Sequence, residues 1–173
     1  TMKMFNKCYI NVSIDGASST YPSVGGFIGK AEGAHIASLN LPNLDVRVTI
    51  DATNTYTSIG GVVAMAFQTI VRDCHVSGWM SQPSSPWGCG GIVGYTQSKY
   101  DNVHQGYVNV THCSSSVNMY DDRSGCGGIV GKAIGGDSTI ENSWYCGDIY
   151  SRSTNAGGIV GWSGSLKLLT IKN

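Results

Sequence analysis

Six cysteines, Cys8, Cys74, Cys89, Cys113, Cys126 and Cys146, are the residues of this sequence best suited to chemistry. Their spacing limits what that chemistry is. No Cys-x-x-Cys pair occurs, so neither a tetrahedral zinc site nor a thioredoxin-like centre is expected. An even number permits a disulfide framework, and with it an oxidising compartment. Cys89 and Cys126 each stand directly before a Gly-Gly pair, and Cys74 and Cys113 occupy matching places in successive repeats. Neighbouring strands of a sheet hold equivalent Cα atoms about 4.8 Å apart, within reach of a disulfide. Two cross-repeat bridges, Cys89–Cys126 and Cys74–Cys113, are therefore expected as staples between the third and fourth repeats. The alternative is a file of stacked thiols in a dry interior.

The remaining polar candidates do not assemble into a catalytic set. Asp73 and His75 flank Cys74 in an alternating stretch, which turns them to the face opposite the thiol. His35, His104 and His112 have no partner at ligand spacing. Asp121-Asp122-Arg123-Ser124-Gly125 reads as a solvated turn, with too few oxygens at close spacing for calcium. Gly88-Cys89-Gly90-Gly91-Ile92-Val93-Gly94 superficially suggests a dinucleotide-binding loop. That site needs a helix after the glycines and an acidic residue on a following strand, and no helix follows here. No catalytic residue, metal or cofactor is expected. Asn11-Val12-Ser13 and Asn109-Val110-Thr111 are glycosylation sequons, although about two are expected by chance under the simple motif rule. The aromatics Trp79, Trp87, Trp144 and Trp162, with Tyr95, Tyr100, Tyr107, Tyr120 and Tyr150, either bind sugar rings from an exposed face or fill corners and core.

These residues are positioned by a repeat. Gly90-Gly91-Ile92-Val93-Gly94 has relatives at Gly25 to Gly29, Gly60 to Ala64, Gly127 to Gly131 and Gly157 to Gly161, their starts 35, 30, 37 and 30 residues apart. Self-similarity at such a period is the signature of a stacked array. Each repeat reads as two strands: a short apolar one ending in Gly-Gly, and one with period-2 alternation, clearest over 138–149, 70–78, 108–116, 4–12 and 44–50. Aligning these strands gives a column of Cys8, Val46, Cys74, Cys113 and Ser143, which lie 17, 14, 16, 14 and 14 residues before the next Gly-Gly. One glycine of each pair is expected to take positive φ at a corner, a position without a side chain to let backbones approach closely, and the third glycine to end the strand. Val62 to Val71 is the nearest thing to a helix, but its place in the repeat matches a turn between strands.

Composition agrees with this reading. Gly is 24 of 173 residues, charged residues are 13%, and eleven basic and eleven acidic residues cancel. There is no basic field for nucleic acid or an anionic membrane. No run approaches the roughly 18 apolar residues that would span a bilayer, and no signal peptide is visible.

The pattern resembles the Glug-motif repeats of bacterial and protist surface proteins, including adhesins and the stalk regions of some immunoglobulin A peptidases. The family pattern is roughly Gly-Gly-Leu/Ile-Val-Gly, a gap, Ile-x-Asn-Cys, then Gly-x-Val/Ile. Gly90 to Gly94, Gly127 to Gly131 and Gly157 to Gly161 match it. Ile140-Glu141-Asn142-Ser143 departs only at Ser143, Gly147-Asp148-Ile149 matches the later strand, and the first two repeats are more diverged. The resemblance implies a surface or stalk role and carries no catalytic residues.

The expected fold is thus all-β, a single solenoid domain over 1–173 with repeats at 1–29, 30–64, 65–94, 95–131 and 132–161 and the strand of a sixth at 165–172. Neither end carries a polar cap, so either the array continues in a longer chain or copies stack end to end into an open assembly. The expected function is structural, at the cell surface or outside the cell, with a carbohydrate-binding module as the alternative.

Overall fold

The structure, a computed structural model, describes residues 8–15, 23–32, 39–42, 44–51, 58–82, 87–96, 107–121, 125–152, 155–164 and 168–173. Among them there are strands and turns and no helix. A first rung comprises β1 (Cys8–Asp15), β2 (Ser23–Gly25), β3 (Ile28–Glu32) and β4 (Leu39–Pro42). The second is β5 (Leu44–Asp51), β6 (Ser58–Gly60), β7 (Val63–Phe67) and β8 (Thr69–Arg72). The third is β9 (His75–Gln82), β10 (Gly88–Gly90), β11 (Val93–Thr96) and β12 (Val108–Thr111). The fourth is β13 (Ser114–Asp121), β14 (Cys126–Gly127), β15 (Val130–Ile134) and β16 (Ser138–Glu141). The fifth is β17 (Trp144–Tyr145), β18 (Ile149–Ser151), β19 (Ala156–Gly157), β20 (Val160–Gly164) and β21 (Leu169–Lys172).

The chain visits four sheets in turn and returns to the first, so each sheet takes one strand position per rung. The orders are β1-β5-β9-β13-β17 with β18 also on β13, then β2-β6-β10-β14-β19, β3-β7-β11-β15-β20, and β4-β8-β12-β16-β21. Every pairing is parallel and in register, as Cys8↔Leu44, Asp45↔His75 and Ser114↔Trp144 show for the first sheet. Such an all-β topology is compatible with a β-helix.

The reason for this path lies in the side chains. Val46, Val48 and Ile50 are buried while Arg47 and Thr49 between them are exposed, which gives β5 one wet face. The short strands around Gly-Gly have no wet stripe: Ile59, Val62, Val63, Cys89, Ile92, Val93, Cys126 and Ile129 are all fully enclosed. Inward residues from all four sheets join one cluster, so a single core runs between them. β-branched residues dominate it, as suits pleated surfaces packed face to face.

Two expectations need correction here, the number of strands per rung and the partner of Cys8. Each rung has four strand positions rather than two, because what reads as one alternating strand is broken by a corner. Val62 to Val71 forms no helix and turns between two strands, as its place in the repeat suggests, with β7 and β8 meeting at Gln68. The strand expected over 165–172 is β21, which pairs with β16 and, with rungs counted from β1, closes the fifth rung. Leu44, not Val46, aligns with Cys8, while Val46 pairs with Ile10 and Val76. Polarity alternation over 44–50 fits either residue, whereas the register follows backbone pairing.

Candidate functional site

The Gly-Gly corner is built by close approach rather than by unusual φ. Gly78, Gly88 and Gly135 have positive φ among the described glycines, and no member of the Gly-Gly pairs does. A Cβ on Gly90 would lie 1.9 Å from Val93 O, and one on Gly127 would lie 2.0 Å from Val130 O. The second glycine of each pair meets the rung above: Cβ atoms on Gly26, Gly61, Gly91 and Gly128 would lie 2.1–2.2 Å from the carbonyl oxygens of Gly61, Gly91, Gly128 and Gly158 respectively. The third glycine does not end a strand. Gly94 lies within β11, where a Cβ would meet Ile59 O at 2.3 Å. Between rungs Gly91 N donates to Gly127 O at 3.2 Å, and Ile92 N and Val93 N both donate to Ile129 O at 3.0 Å. The block is a corner sealed by backbone, with no concavity for a phosphate.

A second corner separates the fourth sheet from the first. Asp73, His112 and Asn142 occupy it on successive rungs with φ of 54°, 51° and 47°. Asp, His and Asn tolerate this left-handed region better than most side chains. It interrupts the stretches 70–78, 108–116 and 138–149, which were expected to run straight. Sequence reasoning missed the corner these residues make, though the signal was present as an Asp, His or Asn directly before the Cys or Ser of the column.

The column itself caps that corner. Cys74 Sγ donates to Arg72 O at 3.1 Å, Cys113 Sγ to Thr111 O at 3.3 Å, and Ser143 Oγ to Glu141 O at 2.9 Å. Ser143 Oγ also accepts from Cys113 N at 3.1 Å. Cys74, Cys89, Cys113, Cys126 and Cys146 are thiols in the structure, the first four buried and Cys146 exposed. Cys89 and Cys126 pair in direct register, and Cys126 Sγ lies 3.8 Å from Met119 Sδ. The Cys113 thiol is pushed far above its usual range, first by its hydrogen bond with the Cys74 thiol, then by burial and by the Cys74 charge. The Cys113 sulfur is therefore a poor nucleophile at neutral pH.

Cys74 is buried and His75 exposed, while Asp73 is half-buried at the corner. His75 Nδ1 lies 2.7 Å from Ser114 Oγ, and His112 Nε2 lies 3.3 Å from Asn142 Nδ2. These contacts link neighbouring rungs. Among the described residues no three His, Cys, Asp or Glu side chains converge as metal ligands. Of the sequon residues, Asn11 is exposed on β1 and Asn109 half-buried on β12. His35, His104, Tyr100 and residues 122–124 lie outside the described residues.

The aromatics divide. Tyr95 is buried, with Trp87 against it edge-on at 5.1 Å, and Lys132 Nζ sits 4.4 Å over the Trp162 ring. Trp79, Trp144 and Tyr150, at 41%, 55% and 63% exposure, all project from the outer face of the first sheet. Ser77, Ser116 and Asn118 are exposed on the same face.

The fifth rung is the second distinctive surface. β19, β20 and β21 are the edge strands of their sheets. Cys89 and Cys126 are fully buried, but Ala156 in their column is exposed. Val71, Val110 and Ile140 are buried, but Ile171 in their column is 53% exposed. Ile92 and Ile129 are buried, while Ile159 is half-buried. Ile140, Ser143, Ile159, Ile171, Lys172 and Asn173 line a recess on this end. Beside it Tyr145 turns inward and donates to Val117 O at 2.9 Å. Burial raises its hydroxyl well above the ordinary tyrosine value.

No protein-family model matches the chain, and no curated protein matches it. Among solved structures the chain is similar to that of a candidate immunoglobulin A1 protease from Bacteroides ovatus, with a TM-score of 0.66 and 20% identity. The likeness covers 96% of this chain and 48% of that one, so the chain spans about half the length of that structure. At this identity the likeness concerns the fold. Among the described residues, no helix is long and apolar enough to cross a membrane.

Proposed function

We propose that the chain is a β-solenoid module of Glug-type repeats that forms or extends a cell-surface stalk, adhesin or filament by end-to-end stacking outside the cell. The observation that supports this reading is the stacking itself: four parallel sheets take successive rungs in register around one continuous core. An array of this kind gains stability by burying one repeat on the next. The extracellular setting rests on the resemblance to surface repeats, and exposed Asn11 is the better placed of the two sequon residues. No enzymatic activity is assigned. The protease name belongs to the structural neighbour, and a likeness of fold does not carry a reaction. Electron microscopy of the concentrated protein tests the reading: particles joined end to end are expected, and isolated particles at every concentration would refute it.

A second reading is favoured by one observation. Trp79, Trp144 and Tyr150 share the outer face of the first sheet with Ser77, Ser116 and Asn118. Flat aromatic faces beside small hydrogen-bonding groups suit a sugar surface, and the net charge of zero suits a neutral glycan. Binding on a glycan array that is lost when all three aromatics become alanine would establish it. Binding unchanged by those substitutions would remove this face from consideration.

A further inference from the structure

We propose that Met80, Cys89, Met119 and Cys126 form a soft-metal site inside the third and fourth rungs, with the sulfur set that takes monovalent copper, Cu(I). The site lies within the core and is independent of the stacking reading above.

The first support is where the sulfurs fall. Met80 and Met119 pair in the first sheet, and Cys89 and Cys126 pair in the second. The rung below holds Ile50 and Ile59 in the same two columns, and the rung above holds Ile149 and Ala156. Both columns thus change from hydrocarbon to sulfur on the same two rungs and change back together. An apolar core asks only for volume and shape, which Ile50 and Ile59 supply one rung below. It does not ask two sheets to turn to sulfur at the same level.

The second support is geometry. Cys126 Sγ lies 3.8 Å from Met119 Sδ. Two sulfurs each bound at about 2.3 Å to one tetrahedral metal stand roughly 3.8 Å apart, so this pair already spans one edge of such a site. The registers repeat the same two residue types one rung lower, as Cys89 and Met80. All four residues are fully enclosed and water is kept from them. The ligand types choose the metal. Among the described residues no three His, Cys, Asp or Glu side chains converge, so the thioethers are needed to complete the set. Thiolate with thioether suits Cu(I), whereas zinc prefers thiolate, imidazole or carboxylate, and calcium and magnesium need oxygen. Cu(I) takes the place of one of the two thiol protons, which leaves for solvent. The thiolate and metal charges then cancel, and no net charge is buried. A Cys89–Cys126 disulfide would use the same sulfurs, so staple and metal exclude one another.

The sulfurs are enclosed, so the metal enters as the chain folds. The test is anaerobic refolding of the reduced 173-residue chain from urea with one equivalent of Cu(I), followed by dialysis against the Cu(I) chelator bicinchoninate. Cys8→Ser and Cys146→Ser are present throughout, so that thiols outside the site hold no metal. One copper per chain is expected to remain, with sulfur-only coordination in X-ray absorption and one proton released for each copper bound. Met119→Leu conserves side-chain volume and is expected to fold as the parent does. It should nevertheless give up copper at a chelator concentration at least about tenfold lower. Cys126→Ala is expected to weaken retention further, and Cys74→Ser with Cys113→Ser to leave it unchanged. A parent that keeps no copper, or that keeps it equally in Met119→Leu and Cys126→Ala, would overturn the site. Copper lost only on substitution of Cys74 and Cys113 would overturn it in favour of that other thiol pair.

Discussion

Ser143 and Cys113 stand in one column on successive rungs, and each turns its donor back to the carbonyl two residues earlier, at 2.9 and 3.3 Å. A hydroxyl and a thiol are thus interchangeable as caps of the same corner. Cys113→Ser is expected to cost less than about 1 kcal/mol, and Cys113→Ala about 1–3 kcal/mol, because a buried side chain and its hydrogen bond to the Thr111 carbonyl are then lost, that carbonyl keeping Asp73 N as its donor. Urea denaturation of both variants separates the two values. Equal losses would mean that the sulfur only fills space.

The buried thiols also predict a labelling pattern. In the folded protein Cys146 reacts promptly with a thiol reagent, while Cys74, Cys89, Cys113 and Cys126 stay protected until denaturant is added. Mass spectrometry of the unreduced protein provides the counter-test. A deficit of four hydrogens mapped to Cys89–Cys126 and Cys74–Cys113 would show the two staples that their register permits.

Alkaline pH should weaken the fold. The Cys113 thiol and the Tyr145 hydroxyl both titrate above their unfolded values in the native state. The unfolded chain therefore releases protons first. The stability due to these groups is complete below about pH 8.5 and declines as pH rises beyond it. Urea midpoints measured from pH 7 to 11 should be level at first and then fall. In Cys113→Ser the fall between about pH 8.5 and 10 should be shallower.

The glycines of the repeat are not equivalent. Gly127→Ala places a Cβ 2.0 Å from Val130 O and 2.6 Å from Gly161 N, both backbone atoms, and is expected to cost more than about 4 kcal/mol or to prevent folding. Gly158→Ala meets nothing and should be neutral or add up to about 1 kcal/mol through the unfolded state. Thermal melts of the two variants check the contrast, and a similar loss in both would contradict it.

His112 holds φ of 51° at its corner. His112→Val is expected to destabilise by about 1–2 kcal/mol, since a β-branched residue is poorly accommodated there. His112→Gly should be close to neutral. Equal effects in denaturant titrations would show that the Asn142 contact, rather than the backbone, determines the preference for His.

Much of the architecture was legible in the sequence. The spacing of Gly90, Gly127 and Gly157 announced stacked repeats, and alternation around Val46, Val48 and Ile50 announced an inward face. The phase of the repeat was not legible. Period-2 alternation continues through Arg72-Asp73-Cys74 and Glu141-Asn142-Ser143, since a left-handed residue changes the direction of the chain without disturbing the polarity pattern. Of the two reasons expected for Gly-Gly, close approach holds and positive φ does not. Glycine serves both positive φ and close approach, and which one applies at Gly91 depends on the Gly128 carbonyl 37 residues away. The openness at Gly158 was hidden as well, because it is visible only by comparison with the four equivalent corners below it.

The hydrogen bonds from Gly91 N to Gly127 O and from Gly128 N to Gly157 O join one rung to the next, so they lie along the stacking direction. A pull between the two ends loads these bonds head-on and detaches rungs one by one, instead of shearing whole sheets together. The 30 residues from Gly127 to Gly157, at about 3.4 Å each, release roughly 100 Å of chain where the folded rung occupied about 4.8 Å. Under load the molecule should behave as an extensible tether that yields in large, regular steps and dissipates work at each one.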